Sequence, residues 1–452
     1  MQLIWLRNDL RLHDQPAFRI AKARQEPLAV VFILPGHWLQ TDRQGLDRLG
    51  AAKARFLRQS LDDLDAQLQR SGLGLTVLSG DPVALLRRWH RQSAFHLITQ
   101  AAQAPEEGAW LRALADAGIS IETVENQTLF DSEQIAPLLA GWPKSFTAFR
   151  HRVESGLEPR VPRAPESLSA APAEPPFDAA VRWPGGSDTE EGRSQFRGGE
   201  RAGLERLDDY LWRRRALDHY RDSRNQLIGR DFASQLSPWL AWGCLSVREV
   251  WHQIRRYEAR YGEDEQRYWL RFELLWREFF HCSMRHYGRL LFRRDGLAAR
   301  PLPETRFQAS YWHAWCQGRT GVPMVDAGLR ELTATGYCSN RLRQNLASYL
   351  IHQLGLDWRL GARFFERHLI DFDVASNQGN WAYIAGAGQD PRQGRRFDLN
   401  WQLRRYDPAL MHIRHWLPEL ADIDIESIIA HQSGRRLLSC YPAPVVSVPE
   451  GG

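Results

Sequence analysis

Strands alternating with helices over the first third of the chain, a Pro-, Ala-, Ser-, Gly- and Glu-rich stretch, and helical patterning beyond it predict the fold class. It is an α/β N-terminal domain on a parallel, Rossmann-like sheet, joined to a large all-helical C-terminal domain. At 452 residues the chain is long for one domain, which agrees with that division.

Short apolar or β-branched runs at residues 3–6, 28–34, 75–78, 96–99 and 119–124 predict five strands. Between them, residues 46–68 carry leucines at helical spacing. Residues 82–90 open on Pro82, which suits a first helical turn because that position needs no intrahelical N–H. No G-x-G-x-x-G follows the first strand, so an ordinary dinucleotide fingerprint is absent. This domain spans 1–130. From about 154 to 203 apolar periodicity disappears, as in Pro172 to Pro176 and Gly185 to Ser187, which predicts a surface linker; the interdomain segment is drawn at 131–203. Helical patterning then runs to about 420, clearest at 271–285, 325–335, 341–354 and 361–369. The helical domain is drawn at 204–430 and a tail at 431–452.

Hydrophobic content of 43% and charged content of 25% are those of a globular protein, and no run of ~18 apolar residues could span a bilayer. Arg7 and Asp9 follow the first apolar residues too soon for a secretory signal. The five cysteines are odd in number and lack CxxC spacing, which argues against a disulfide framework and a zinc site. A reduced cytoplasm and no metal are therefore expected. Lys22, Lys53 and Lys144 are the only lysines, so nearly all 59 basic residues are arginine. Planar guanidinium groups suit phosphate recognition, although an imbalance spread this evenly is also what base composition produces. Eighteen tryptophans exceed what packing needs, and indoles are readily oxidised.

The densest chemistry lies at 335–407: GYCSNRLRQN at 336–345, DWR at 357–359 and DFDVASNQGNWAY at 371–383. A helix from Arg341, with Asn340 at its N-cap, carries Arg343 and Gln344. Asp371 and Asp373 can pair with Arg343 or Arg341, an arrangement more often structural than functional. With WLRNDLRLHD at 5–14, FASQLSPWL at 232–240 and FELLWREFF at 272–280, these stretches resemble the photolyase and cryptochrome superfamily along nearly the whole chain. Asn8, residues 339–341 with 343–345, 379–381 and 147–150 resemble its DASH branch.

The resemblance implies an α/β antenna domain and a helical domain holding FAD in a U shape. Tyr220 and the turn Ala233, Ser234, Gln235, Leu236 and Ser237 would contact the cofactor, the turn lying against its phosphates. Small side chains there let backbone N–H groups approach an anion, and a helix N-terminus adds partial positive charge. Arg277, Asn340, Arg343, Asp371, Phe372 and Asp373 resemble residues lining the isoalloxazine and adenine sites. Arginine offsets the charge of reduced, anionic flavin, and a paired carboxylate holds it. Asn377 matches the position facing flavin N5. DASH proteins also carry a 5,10-methenyltetrahydrofolate antenna, although the loop at 99–107 departs from their polar and acidic pattern.

Glu273 and Trp276 stand three apart on one helix face. By resemblance Glu273 bonds a damaged pyrimidine pair and Trp276 gives it an apolar platform, the combination a flipped lesion needs. Gln344 and Tyr383 match other lesion-pocket positions; many duplex-repairing photolyases have Trp where Tyr383 stands. Trp381 and Trp358 resemble the proximal and middle members of the chain that photoreduces the flavin. The distal position falls on residues 302–307, which hold no tryptophan, and Trp312 is out of register. Arginines at 213–215, 289–300 and 392–396 suggest phosphate contacts that weaken with salt.

The implied activity is blue-light repair of cyclobutane pyrimidine dimers by a monomer that prefers damaged single-stranded or looped DNA. A light-signalling photoreceptor without repair activity is the alternative, and a flavoprotein electron carrier shares the fold. Repair of the (6-4) photoproduct is disfavoured, because Asn340 and Gln344 stand where that chemistry uses histidines.

Overall fold

A computed structural model of the chain describes residues 1–168, 170–176, 183, 195–390, 392 and 394–449. They form two compact units. One comprises Met1–Asp218, Gln235–Gly288 and Ile370–Ala375; the other comprises His219–Ser234, Arg289–Leu369 and Ser376–Gly452.

The first unit opens β1 (Gln2–Leu6), α1 (Pro16–Arg24), β2 (Leu28–Pro35), α2 (Ala51–Gln69), β3 (Leu75–Gly80), α3 (Pro82–Gln92), β4 (His96–Gln100), α4 (Pro105–Asp116) and β5 (Ser120–Val124). The five strands are parallel, in the order β3-β2-β1-β4-β5. Central β1 and its neighbour β2 are buried at every position, as strands covered on both faces must be. Edge strand β5 is less covered, with Ser120 and Thr123 exposed, and its Glu122 meets Arg24 and His96. Leu3, Trp5, Val31, Ile33, Leu97, Leu86 and Trp89 form the core between the sheet and its helices.

Helix α3 begins as expected: Asp81 caps it by accepting from the Ala84 N–H at 2.8 Å, and Pro82 follows. Helix α2 starts five residues later than its leucine pattern suggests. The preceding residues are held in turns by Asp42, which accepts from the Leu46 N–H at 2.9 Å, and by Asp47, which accepts from the Leu49 N–H at 3.0 Å. Part of the linker joins the sheet: Leu28 N–H donates to Ala171 and its carbonyl accepts from Ala173, flanking Pro172, which has no N–H to offer. The linker residues 185–187 lie outside the described residues. Where the chain returns over α2, a Cβ at Gly198 would stand 2.2 Å from the Phe56 carbonyl oxygen, so only glycine fits.

Helices follow: α5 (Ser132–Leu139), α6 (Phe146–Glu154), α7 (Glu200–Asp208), α8 (Tyr220–Ser223), α9 (Ser237–Ala241), α10 (Val247–Tyr261), α11 (Glu265–Tyr287), α12 (Ala309–Cys316), α13 (Pro323–Thr335) and α14 (Asn340–Ser348). The last are α15 (Trp358–His368), α16 (Val374–Ala385), α17 (Leu399–Tyr406), α18 (Met411–Trp416) and α19 (Ile425–Gln432). The helix expected over 341–354 divides into α14 and a π-helical turn, Tyr349–Gln353, closed by Leu354 N–H to the Tyr349 carbonyl. The chain after α19 docks on the second unit. Tyr441 donates to buried Asp326 at 2.7 Å, and Val445 N–H donates to the Thr320 carbonyl at 2.9 Å. Among the described residues no helix is long and apolar enough to cross a membrane. The five cysteines are unbridged, and burial pushes the Cys244 and Cys316 thiols up to about 12.

Candidate functional site

Helix α11 organises the first unit's share of the candidate residues. Asp264 caps it, accepting from the Arg267 N–H at 2.9 Å, and the helix runs 23 residues to Gly288 at φ 51°. Half-buried Glu273, Trp276 and Arg277 lie along it. Trp276 is stacked on Phe146, ring centroids 3.8 Å apart and 11° from parallel, with Phe279 and Phe280 against it. That packing fixes the indole plane and leaves at most one face for a ligand.

Arg277 donates through Nη1 to the Gln127 carbonyl at 2.6 Å, and its Nη2 stands 3.7 Å from Asp373 Oδ2. The same oxygen lies 2.7 Å from His281 Nε2, whose other nitrogen lies 3.3 Å from Gln103 Oε1. His281 is 1% exposed and was missed from sequence. Its signal was there, since it stands four residues after Arg277 and so shares a helix face with it. Asp371 accepts from Ser237 Oγ at 2.6 Å. Phe372 sits under buried Lys53, whose Nζ is 4.4 Å from the ring centroid.

The turn before α9 has the backbone an anion needs. Gln235 adopts φ 55°, and Leu236 follows at φ −83°, ψ −11°. Successive residues of opposite hand turn neighbouring N–H groups into one concavity, a nest. Helix α9 itself has only five residues, so the helix dipole expected there is small and the nest is the stronger feature.

In the second unit, Asn377 donates from Nδ2 to the Ala362 carbonyl at 3.0 Å and is buried. One of its two amide N–H donors is thereby used, and the oxygen is an acceptor it can offer a ligand. Trp381 on α16 meets Phe365 on α15, ring centroids 5.0 Å apart. The helices approach so closely that a Cβ at Gly361 would lie 2.1 Å from Trp381 Cη2. Trp358 is equally buried and donates to the Arg294 carbonyl at 2.9 Å. Trp312 stacks on Trp315 at 5.7 Å, both buried, whereas Phe307 is exposed.

Tyr383 receives Arg395 Nη2 at 2.6 Å, and Asp390 holds that guanidinium at 3.2 Å. Burial, ahead of these charges, raises the Tyr383 hydroxyl pKa. Gln344 accepts from Arg341, which also donates to Asn225 at 2.8 Å. Arg343 donates to the Cys338 carbonyl at 3.0 Å and lies over Tyr337. Tyr220 is buried, and Ala233 and Ser234 are half-buried. The N-cap of α14 is Ser339 rather than Asn340. Its extended backbone lets Oγ accept from the Leu342 N–H at 3.3 Å, so Asn340 becomes the first, exposed helical residue.

Comparison with known proteins shows the family. Residues 2–167 match the family model described as DNA photolyase, and 269–451 match the FAD binding domain of DNA photolyase. A cryptochrome DASH of Natronomonas pharaonis is 38% identical, covering 99% of this chain and 98% of its own. Cryptochrome DASH of Synechocystis is also 38% identical, over 98% of this chain and 95% of its own. The chain belongs to the photolyase and cryptochrome superfamily, in its DASH branch.

Solved structures give the same fold. A Synechocystis cryptochrome superposes with a TM-score of 0.88 at 36% identity, covering 99% of this chain and 96% of its own. A class III photolyase from Agrobacterium tumefaciens gives 0.83 at 28%, covering 98% and 94%. The FAD-binding domain is therefore present, and it contains Glu273, Trp276, Arg277, Asn377 and Trp381. Tyr220 and the nest at 235–236 precede the matched residues, yet the nest fits a phosphate-bearing cofactor on backbone geometry alone.

Proposed function

We propose that this DASH-branch protein repairs cyclobutane pyrimidine dimers under blue light, preferring single-stranded or looped DNA. The observation carrying the reading is α11: Glu273 and a rigidly backed Trp276 lie on one helix with Arg277, whose carboxylate partner is Asp373. When bound, reduced FAD supplies the light-excited electron that opens the dimer and recovers it afterwards.

The chain's own residues do the rest. Glu273 accepts from the base edge of the flipped pyrimidines, and the Trp276 indole replaces the stacking they lost. Gln344 and Tyr383 complete the lesion pocket. Tyr383 is narrower than an indole, so it helps less in extracting a base from a duplex, which favours single strands. The nest at Gln235–Leu236, with Tyr220, Ala233, Ser234 and Ser237, holds the cofactor phosphates, and Asn340, Arg343, Asp371 and Phe372 line its rings. Asn377 offers an acceptor to the N–H of a reduced flavin. Trp381 and Trp358, both buried, pass electrons to the flavin.

The division into antenna domain (1–130), linker (131–203), catalytic domain (204–430) and tail (431–452) belongs to the same reading. So do a monomer, a cytoplasmic location and a 5,10-methenyltetrahydrofolate antenna, the last visible as a near-ultraviolet band in the purified protein's absorption spectrum.

The test gives reduced protein dimer-containing DNA under blue light, with a dark control, as single strand and as duplex. Repair of the single strand with poor repair of the duplex is expected, and Glu273→Ala should slow it at least ~tenfold, the effect of ~1.4 kcal/mol on a barrier. Intact dimers in both substrates, with FAD bound and photoreducible, would overturn repair and favour a light-signalling receptor.

A further inference from the structure

A cavity of about 530 Å³ opens in the first unit between α7, the π-helical turn Asp209–Arg213 that continues it, and α10. None of the candidate flavin or lesion residues lines it. Its volume lies in the range of small-ligand pockets, roughly 300–1,000 Å³.

Leu204 and Leu207 give it an apolar lining, and the half-buried indole of Trp212 gives it an aromatic one. That indole is held: its Nε1 donates to Gln253 Oε1 at 3.2 Å, and Gln253 Nε2 donates to Glu249 Oε1 at 2.7 Å. Two exposed arginines, Arg256 and Arg260, stand one turn apart on α10, with the Arg256 guanidinium 5.9 Å from the Trp212 ring centroid.

Their neighbours are paired. Arg255 meets Glu258 at 3.0 Å, Arg271 meets Glu258 at 3.0 Å, Arg267 meets Asp218 at 2.9 Å, and Arg213 meets Asp208 at 2.8 Å. Among the described residues, Arg256 and Arg260 alone on α10's pocket face have no carboxylate at ion-pair distance. Glu249 uses one oxygen to fix Gln253, and its second is left as an acceptor on the wall.

An aromatic plane, two guanidinium groups that have no carboxylate at ion-pair distance among the described residues, and a carboxylate acceptor together match a nucleotide; Asp208, also on the wall, is held by Arg213. Stacking takes the base, the arginines take the phosphate, and the carboxylate takes a base amino group. We propose that this cavity is a nucleotide site separate from the flavin and lesion machinery, selective for bases that carry an amino group. The nucleotide is either free or one residue of an undamaged single strand.

The experiment uses flavin-loaded protein in the dark, so that the flavin site is already filled. AMP, UMP and an oligo-dA octamer are titrated by calorimetry and tryptophan fluorescence. Saturable binding of AMP or the octamer is expected, weakened at least ~tenfold in R256Q/R260Q, as loss of a charge-assisted contact implies. AMP should outcompete UMP, and Glu249→Ala should narrow that preference. Tighter binding of the octamer than of AMP identifies the strand as the source; the reverse identifies the free nucleotide. Arg260→Gln alone serves should the double variant melt early, and light-driven flavin reduction should stay unchanged in both. No saturable binding of either ligand, or binding that these substitutions leave untouched, overturns the proposal.

Discussion

Asp373 draws His281 to 2.7 Å and Arg277 to 3.7 Å with a single carboxylate oxygen, so three ionisable groups depend on one another. Asp373→Asn keeps the shape and removes the charge. About 1–3 kcal/mol of stability should be lost, because a hydrogen bond to a charged group is replaced by a weaker one. A urea melt measures the loss, and FAD retention through gel filtration should fall alongside it. Asp373 and Arg277 were legible in sequence because they sit inside dense motifs. His281 was not, because nothing in a run reading FFHC distinguishes a buried, bonded imidazole from a packed one until Asp373 arrives from 92 residues away. Ser339 shows the opposite failure: both Ser and Asn are good caps, and only backbone geometry chose between adjacent candidates.

At the scale of elements, α15 and α16 cross at a point where one residue decides the distance. The Trp381 indole occupies the space where a side chain at Gly361 would stand. Gly361→Ala gains helix propensity, worth about 1 kcal/mol, yet overpacking costs about 1–3 kcal/mol. A net loss of thermal stability is expected, with slower light-driven flavin reduction as Trp381 is displaced; a raised melting temperature would contradict the packing. The positions of β1 and β2 were readable from composition because parallel strands buried on both faces are nearly all apolar. Helix ends were less readable. The start of α2 depends on two aspartates that hold the preceding loop in turns, and the π-helical turn after α14 interrupts a pattern that otherwise reads as continuous helix.

For the molecule as a whole, acid sensitivity has a traceable contributor. Burial would raise the Glu106 pKa, but hydrogen bonds and charge from His37 and Arg48 outweigh it and hold it down at about 2, from 4.5. A folded pKa below the unfolded one means the stabilisation is present above 4.5 and is lost as pH falls toward about 2. Glu106→Gln should therefore flatten that acid limb while changing neutral stability only modestly, since the pair is partly exposed and screened by solvent. Urea midpoints at neutral and acid pH check it; an unchanged acid limb would exclude Glu106 as a contributor.

The sequence by itself determined the alternating strands and helices, the helical remainder and the superfamily motifs, because periodicity and motif composition are local properties of a chain. Tertiary structure alone decided that His281 meets Asp373, that the Asn377 amide donates to Ala362, and that, among the described residues, Arg256 and Arg260 of α10 have no carboxylate at ion-pair distance beside Trp212. Those facts concern which distant groups satisfy a polar atom. A buried donor or acceptor must find its partner wherever the fold brings one, and spacing along the chain does not encode that meeting.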